Sequence, residues 1–244
     1  MTGQASRTRR EGWARAFFTV CGAVPVALSV GIAGLLLWRA MGAISSNAPL
    51  LAGLLARTAL VSALAALVAL PLGLGAAIYL SELSSPRRRR ALKPMVEVLA
   101  WVPTVVLGWM AAAVVGPALG SGLLTSGLIV GLCIAPTLAT LSEDALAAVP
   151  TPLREAALGL GATQIEMIRQ VLLPAARPGL VAAFFLATAR AVGETMVVTM
   201  AGYDTVTRWL LTSDYPEPTR YAAACILFFL TLGLAMAARR RAAG

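Results

Sequence analysis

Six stretches of this sequence are each long and apolar enough to cross a lipid bilayer. A helix that crosses the hydrocarbon core needs about 20 residues at a rise of about 1.5 Å per residue. Of the 244 residues, 59% are hydrophobic and 13% are charged, which is more apolar surface than a soluble core can bury. We therefore predict an all-α, polytopic helical membrane protein with six transmembrane helices, near residues 17–37, 60–80, 97–119, 123–141, 179–201 and 221–238.

The positions of lysine and arginine predict how the chain is oriented. If the N-terminus is cytoplasmic, fifteen of the twenty lysine and arginine residues fall on the cytoplasmic side, four fall outside, and Arg190 lies within a span. Cytoplasmic segments close to membrane spans are enriched in these two residue types. Both termini are therefore predicted to be cytoplasmic.

This topology divides the chain into three parts. Residues 1–16 form a cytoplasmic segment, residues 17–238 form one transmembrane domain with a cytoplasmic loop at 142–178, and residues 239–244 form a basic tail. Because topology accounts for the net charge of +9, we expect no nucleic-acid partner. The basic residues 87–93 are predicted to contact anionic membrane lipid, and contact with a partner subunit is the alternative.

A polar stretch within the loop predicts a short helix that ends at a sharp corner. Thr151 is followed by Pro152, which is typical of a helix start with threonine as the N-cap and proline in the first turn. This helix is predicted to run through Leu160. Gly161 then supplies the left-handed backbone conformation that commonly ends a helix.

A second short helix is predicted directly after the corner. Thr163 and Glu166 have the spacing of a capping box, in which the two residues satisfy each other's backbone N–H groups. The helix is predicted to stop before Pro174, because the residue before a proline is disfavoured in a helix. A rigid corner with small side chains suits a docking element, and an ordinary amphipathic connector is the alternative.

A long, gapped motif runs through this corner. Glu155-Ala156-Ala157 is followed by Gly161 and then by Val171-x-Leu173-Pro174, with valine where isoleucine is usual. The motif resembles the EAA loop of the membrane subunits of binding-protein-dependent ABC importers. The resemblance implies the type I ABC importer permease fold and a coupling helix that fits a groove on a separate ATPase subunit. The implied coupling residues are Glu155, Ala156, Ala157, Gly161 and Pro174.

The fifth span carries two charges. Arg190 and Glu194 are four residues apart, which predicts that they share a helix face with Thr195 and Thr199 beside them. A charge within a span costs at least about 2.5–3.5 kcal/mol, so this face is predicted to line the protein interior or a water-filled surface. The alternative is a self-neutralising pair that only holds this helix against a neighbour.

The segment around these charges carries a second resemblance. Residues 193–200 read GETM followed by V-x-TM, and the sequence is similar to the C-type membrane subunit of the phosphate-specific ABC importer, whose A-type partner has Ala-Pro after Gly-Glu-Thr. The resemblance implies a solute pathway. A guanidinium group matches phosphate oxygens, and a carboxylate beside it would position it and prevent tight trapping. The implied pathway residues are Arg190, Glu194, Thr195 and Thr199.

Together these resemblances imply a permease subunit of a bacterial or archaeal cell (inner) membrane, which forms half of the pathway for inorganic phosphate. Its expected partners are a cytoplasmic ABC ATPase dimer, a homologous A-type subunit in a heterodimer, and an extracytoplasmic phosphate-binding protein that docks near residues 203–220. The chain contains no G-x-x-x-x-G-K-[ST] sequence, so we do not expect it to be an enzyme. ATP and Mg²⁺ are expected to bind the partner ATPase, with no cofactor on this chain.

The sequence also bears on other types of site and on alternative functions. The sequence has no histidine, and its three cysteines lack metal-ligand spacing, so neither a catalytic centre nor a metal site is predicted. A permease for molybdate or sulfate is the alternative within transport. A passive channel or a membrane scaffold or sensor is the alternative of another class, and stable association with an ATPase distinguishes it.

Overall fold

The computed structural model describes residues 2–212 and 216–242, with side chains described from Trp13 onward, and shows a helical protein. The ends of the predicted N-terminal segment and basic tail, and part of the region 203–220, lie outside the described residues. The helices are α1 (Thr2–Ala40), α2 (Ala43–Ser46), α3 (Ala48–Ile78), α4 (Pro86–Ala100), α5 (Thr104–Met110), α6 (Gly116–Leu119), α7 (Leu123–Ala147), α8 (Thr151–Gly159), α9 (Gln164–Met167), α10 (Leu173–Val192), α11 (Met196–Met200), α12 (Val206–Thr212) and α13 (Glu217–Ala242). π-helical turns follow α3, α5 and α9, at Tyr79–Leu83, Ala111–Val115 and Ile168–Leu172.

Five helical segments of the described chain are long and apolar enough to cross a membrane. A sixth span is present if α4 and the segment Thr104–Leu119, which meet at 82°, count as one broken span. With the broken span counted as one, the predicted all-α fold with six spans is confirmed. The five continuous segments are Trp13–Ala40, Ala48–Leu83, Leu123–Ala147, Gln164–Val192 and Glu217–Arg241.

The span predicted near residues 97–119 is broken, and its first half begins earlier, at Pro86. The chain breaks between α4 and α5, because Pro103 restricts the residue before it to extended backbone and has no N–H to donate. Trp101 at the break and Trp109 on α5 are exposed.

The second span begins earlier than predicted. Residues 48–56 precede the span predicted near 60–80, and they form the first turns of α3. Leu51 and Leu54 are buried in a cluster with Val206 and Trp209, and this contact holds the start of α3 in line with the rest of the helix.

The centre of the bundle is the packing of α3 against α7. These helices approach closely because small residues face each other: a Cβ placed on Gly131 would lie 2.9 Å from the carbonyl oxygen of Ala65. Small residues are typical of helix contacts in membranes, where close backbone approach provides the attraction. Ala183 and Ala187 of α10 join the same core.

Two further apolar clusters define the ends of the bundle. At the end that contains the α8–α9 corner, here called the corner end, Ala77, Leu146 and Leu172 pack together. At the opposite end, here called the far end, Ala40 packs with residues of α3, α12 and α13. The span window of α1 has no buried residue, so this helix lies at the periphery of the described bundle.

Candidate functional site

The corner (residues 151–172) turns at Gly161, as predicted. The N–H of Gly161 donates to the carbonyl oxygen of Leu158 at 3.0 Å, and the N–H of Ala162 donates to that of Ala157 at 3.2 Å. This pair of bonds is a Schellman motif, whose residue beyond the helix cap takes a left-handed conformation. Gly161 has φ of 90°, which only glycine adopts without strain.

The predicted capping box at the start of α9 is confirmed. The N–H of Thr163 donates to Oε2 of Glu166 at 2.8 Å, and the N–H of Glu166 donates to Oγ1 of Thr163 at 3.3 Å. The predicted N-cap at Thr151 is wrong. The helix α8 already includes Thr151, and the residue before it is Pro150, so no side chain caps this end.

The prediction that the second helix ends before Pro174 is wrong. The π-helical turn Ile168–Leu172 connects α9 to α10, and the helical winding continues to Val192. A proline inside a helix lacks an N–H and presses on the carbonyl one turn earlier. The wider π-helical turn lies directly before Pro174, where it relieves this clash. Pro174 therefore belongs to α10 rather than to the corner.

Arg154 fastens the corner to two membrane helices. Its guanidinium lies 3.3 Å from Oε1 of Glu82, which follows α3, and it donates to the carbonyl oxygen of Leu146 on α7 at 2.6 Å. Gln164 donates to the carbonyl oxygen of Glu82 at 2.6 Å from the other side of the corner. The corner is therefore held to the ends of α3 and α7 by both of its arms.

A second charged cluster fixes α4 to α7. The Glu143 side chain is 2% exposed, and its two oxygens lie 2.6 Å from Nη2 of Arg89 and 3.2 Å from Nζ of Lys93. The sequence argument missed this pairing, and the lipid contact predicted for residues 87–93 stays a prediction. The spacing of Arg89 and Lys93 by one helical turn was the available signal.

The predicted coupling residues divide into exposed and buried positions. Glu155 and Ala156 are exposed together with Gly161, whereas Ala157 is buried in the apolar cluster at the corner end and seats α8 on the bundle. Around the exposed residues lie apolar side chains that the sequence argument did not select: Leu153, Leu158, Leu160 and Ile165, with Leu160 90% exposed. Exposed apolar surface of this kind is typical of an interaction site.

A cavity with a mixed polar and apolar lining lies beside Arg190 on α10. Its volume is about 240 Å³, and it lies where α4, α7 and α10 meet. Nη1 of Arg190 donates to Oγ1 of Thr137 at 3.3 Å, and Nη2 donates to the carbonyl oxygen of Ala100 at 3.4 Å. The cavity is lined by Glu97, Ala100, Trp101, Thr137, Thr140, Leu141 and Arg190.

Glu194 does not lie on one helical face with Arg190, so that prediction is wrong. Helix α10 ends at Val192, and Glu194 belongs to the α10–α11 break (residues 193–195). Its Oε1 accepts the backbone N–H groups of Thr195 and Met196, both at 3.0 Å, and so caps the start of α11. The described side chains include no ion pair between Arg190 and Glu194.

The two predicted threonines make local backbone contacts. Oγ1 of Thr195 donates to the carbonyl oxygen of Gly193 at 3.1 Å, and Oγ1 of Thr199 donates to that of Thr195 at 2.6 Å. Their hydroxyl hydrogens are therefore used within the chain. Thr137 and Thr140 line the cavity with Arg190 instead; they are distant in sequence and were missed. Thr140 also donates to a backbone carbonyl, that of Pro136 at 3.1 Å, whereas Thr137 accepts from Arg190 and keeps its hydroxyl hydrogen for a ligand.

The cavity has the chemistry of a weak anion site. A guanidinium and a nearby hydroxyl group can donate hydrogen bonds to a small oxyanion. The carboxylate of Glu97 lines the same cavity and repels an anion. A site that combines attraction and repulsion binds an anion without retaining it tightly, which suits a conduit.

Comparison with known proteins identifies the family. Residues 69–241 match the family described as "Binding-protein-dependent transport system inner membrane component". The chain belongs to this family. Its membrane helices and its corner are therefore those of a permease component, a multi-pass membrane protein.

Curated members of the family are similar in sequence. The "Probable ABC transporter permease protein YqgH" of Bacillus subtilis is 38% identical over 148 residues, which cover 57% of this chain and 48% of that protein. The "Phosphate transport system permease protein PstC" of Mesorhizobium japonicum is 36% identical over 169 residues, which cover 58% and 52%. The chain spans about half the length of the curated relatives it matches.

Solved structures confirm the fold. A chain of the MetNI methionine ABC transporter, in an inward-facing conformation, has a TM-score of 0.65 at 23% identity, with coverage of 75% of this chain and 90% of that one. A chain of an amino acid ABC transporter has a TM-score of 0.65 at 20% identity, with coverage of 82% and 95%. The predicted ABC importer permease fold is thus confirmed.

Proposed function

We propose that this chain forms half of a pathway that carries inorganic phosphate into the cytoplasm, driven by ATP that a separate subunit hydrolyses. The observation that carries the proposal is the Arg190 guanidinium beside Thr137 in a cavity between three helices. Relatives that share about a third of their aligned residues with this chain are named phosphate transport permeases.

In the cavity, Arg190 would bind the oxyanion. Two of its N–H groups can reach two phosphate oxygens, and the hydroxyl group of Thr137, which accepts from Arg190, can donate to another. Glu97 would favour release by repelling the bound anion. Glu194 would act through the backbone, by holding the start of α11, and not as a direct partner of Arg190. Thr195 and Thr199 would shape the same segment.

The exposed part of the corner would dock on a cytoplasmic ABC ATPase dimer, which binds ATP and Mg²⁺. Glu155, Ala156 and Leu160 would contact the ATPase, while Ala157 and Arg154 keep the corner attached to the bundle. Because α9 continues into α10, displacement of the corner would reach Arg190 directly. ATP inside and a binding protein outside would then favour different orientations of the pathway.

The orientation of the chain in the membrane and its remaining partners complete the proposal. The corner end would face the cytoplasm of a bacterial or archaeal cell together with both termini, as the distribution of arginine favours. A homologous A-type subunit would complete the pathway, and a phosphate-binding protein would dock at the far end near residues 203–220.

The test is uptake of radiolabelled phosphate at micromolar concentration, in cells with and without the chain, challenged by excess sulfate and molybdate. ATP-dependent uptake that requires the chain and resists both competitors is the expected result. Competition by molybdate or sulfate would instead indicate a permease for that oxyanion. If no ATPase co-purifies through the corner, the chain is a passive channel or a scaffold, and the proposal fails.

A further inference from the structure

A basic cavity lies between α10 and α13 at the corner end, away from the Arg190 cavity. Its volume is about 620 Å³, and its lining combines three arginines with apolar side chains. A second cavity of about 330 Å³ shares Phe185, Arg240 and Arg241 with it and continues along α13. The first is lined by Arg177, Pro178, Val181, Phe185, Arg240 and Arg241, and the second adds Gly233, Met236 and Ala237.

The three arginines of the cavity carry charge that nothing in the described chain neutralises. Arg177 lies on α10, and Arg240 and Arg241 lie at the end of α13. Within residues 13–212 and 216–241, no carboxylate forms an ion pair with them, and neither cavity is lined by an acidic side chain. Like charges held together in this way favour the binding of an anion, and guanidinium groups match phosphate oxygens.

The apolar part of the lining indicates what kind of anion fits. Val181 and Phe185 on α10 and Met236 on α13 extend the cavity along two segments that are long enough to span the membrane. A free phosphate ion would use the arginines and leave this apolar surface uncovered. A ligand with an anionic phosphate head and a hydrocarbon tail would cover both parts.

We propose that this cavity is a binding site for one anionic phospholipid. The phosphodiester headgroup lies among Arg177, Arg240 and Arg241, and an acyl chain runs along Phe185 and past Gly233. Basic pockets between membrane helices are suited to such headgroups. The lipid would join α10 to α13 at the end of the bundle where the described side chains provide no ion pair between these two helices.

Native mass spectrometry of the purified full chain tests the site, with phosphatidylglycerol and phosphatidylcholine of identical acyl chains as probes. We expect preferential retention of phosphatidylglycerol, which falls to the phosphatidylcholine level in the R177Q/R240Q/R241Q variant. Each basic residue near a membrane surface is worth roughly a fivefold change in affinity, so the triple variant should lose on the order of a hundredfold. The matched control R87Q/R88Q/R90Q removes the same charge from α4 and should retain the lipid.

A second variant leaves the charge unchanged. A Cβ at Gly233 meets no atom within 4 Å, so Gly233→Leu is tolerated by the packing and places a side chain in the acyl-chain part of the cavity. Loss of bound phosphatidylglycerol in this variant is expected. Equal losses in the two triple variants would show attraction by net charge and overturn the proposal. Displacement of bound phosphatidylglycerol by millimolar inorganic phosphate would also overturn the proposal. So would a cavity variant that retains the lipid unchanged but associates more weakly with the ATPase.

Discussion

The corner and the α10–α11 break each contain a glycine and lie close to charged residues, but the charges near the two regions are arranged differently. At the corner, Arg154 is paired with Glu82, and nearby Glu143 is paired with Arg89 and Lys93. At the break, Arg190 and Glu194 form no ion pair with each other in the described residues. An ion pair fixes the geometry of both side chains, whereas Arg190 makes only long hydrogen bonds to neutral groups and keeps an unneutralised charge and further N–H groups for a ligand.

The largest expected effect comes from Arg190. Arg190→Gln should reduce phosphate uptake to background, because the neutral side chain cannot attract the anion, and should leave stability and ATPase association unchanged, because no ion pair is broken. Arg190→Lys keeps the charge without the planar donor pair and should retain part of the activity. Full uptake by Arg190→Gln would show that the arginine is only structural.

The paired charges of α4 and α7 should behave in the opposite way. The double substitution Arg89→Ala with Lys93→Ala leaves the buried carboxylate of Glu143 without a partner and should cost about 3 kcal/mol of stability. Thermal unfolding of the purified chain measures this. The control Arg88→Ala with Arg90→Ala removes two exposed neighbours from the same helix and should change little. Equal losses in the two variants would contradict the cluster's role.

The two glycines provide a direct comparison of the regions. Gly161 has φ of 90°, so Gly161→Ala forces a left-handed conformation on a residue with a Cβ and should cost roughly 1–2 kcal/mol. Gly193 has φ of −83°, and a Cβ there meets its nearest atoms at 3.7 Å, so Gly193→Ala should be nearly neutral. Unfolding midpoints and stimulation of ATP hydrolysis are the measurements. The bulkier, charged Gly161→Asp should also uncouple hydrolysis from uptake.

The smallest effect is expected at the start of α9. Thr163→Val removes the hydroxyl of the capping box and should lower the unfolding midpoint slightly, with recovery in Thr163→Ser. Thr151→Val is the matched control, because Thr151 has the sequence signature of a cap but no capping bond. A larger loss at Thr151 than at Thr163 would contradict the observed capping.

Local signals in the sequence predicted much of this fold. Long apolar windows predicted the spans, and Gly161 and the Thr163–Glu166 pair predicted the corner, because each depends on neighbours within a few residues. Pro174 misled the same reasoning. Its effect on a helix depends on the winding of the preceding turn, and a π-helical turn leaves no clear signature in composition.

The partners of the charged residues could not be predicted in this way. Glu143 meets Arg89 across 54 positions of sequence, and Arg190 meets Thr137 across 53. Such contacts depend on which helices pack together, and hydrophobic periodicity does not specify this in a chain that is apolar on most faces. The four-residue spacing of Arg190 and Glu194 implied a shared face only while the helix was assumed to continue.

The π-helical turn Ile168–Leu172 also sets the rotational phase of α10. Each residue of an α-helix turns the following chain by about 100°, and each residue of a π-helical turn, whose hydrogen bonds reach one residue further, turns it by less. Rewinding the same residues as α-helix would therefore rotate every later side chain around the axis. Arg190 lies about five turns beyond Leu172 on the same helix. A change of winding at this turn would therefore rotate the Arg190 guanidinium around the axis of α10 at the cavity, with little translation along that axis.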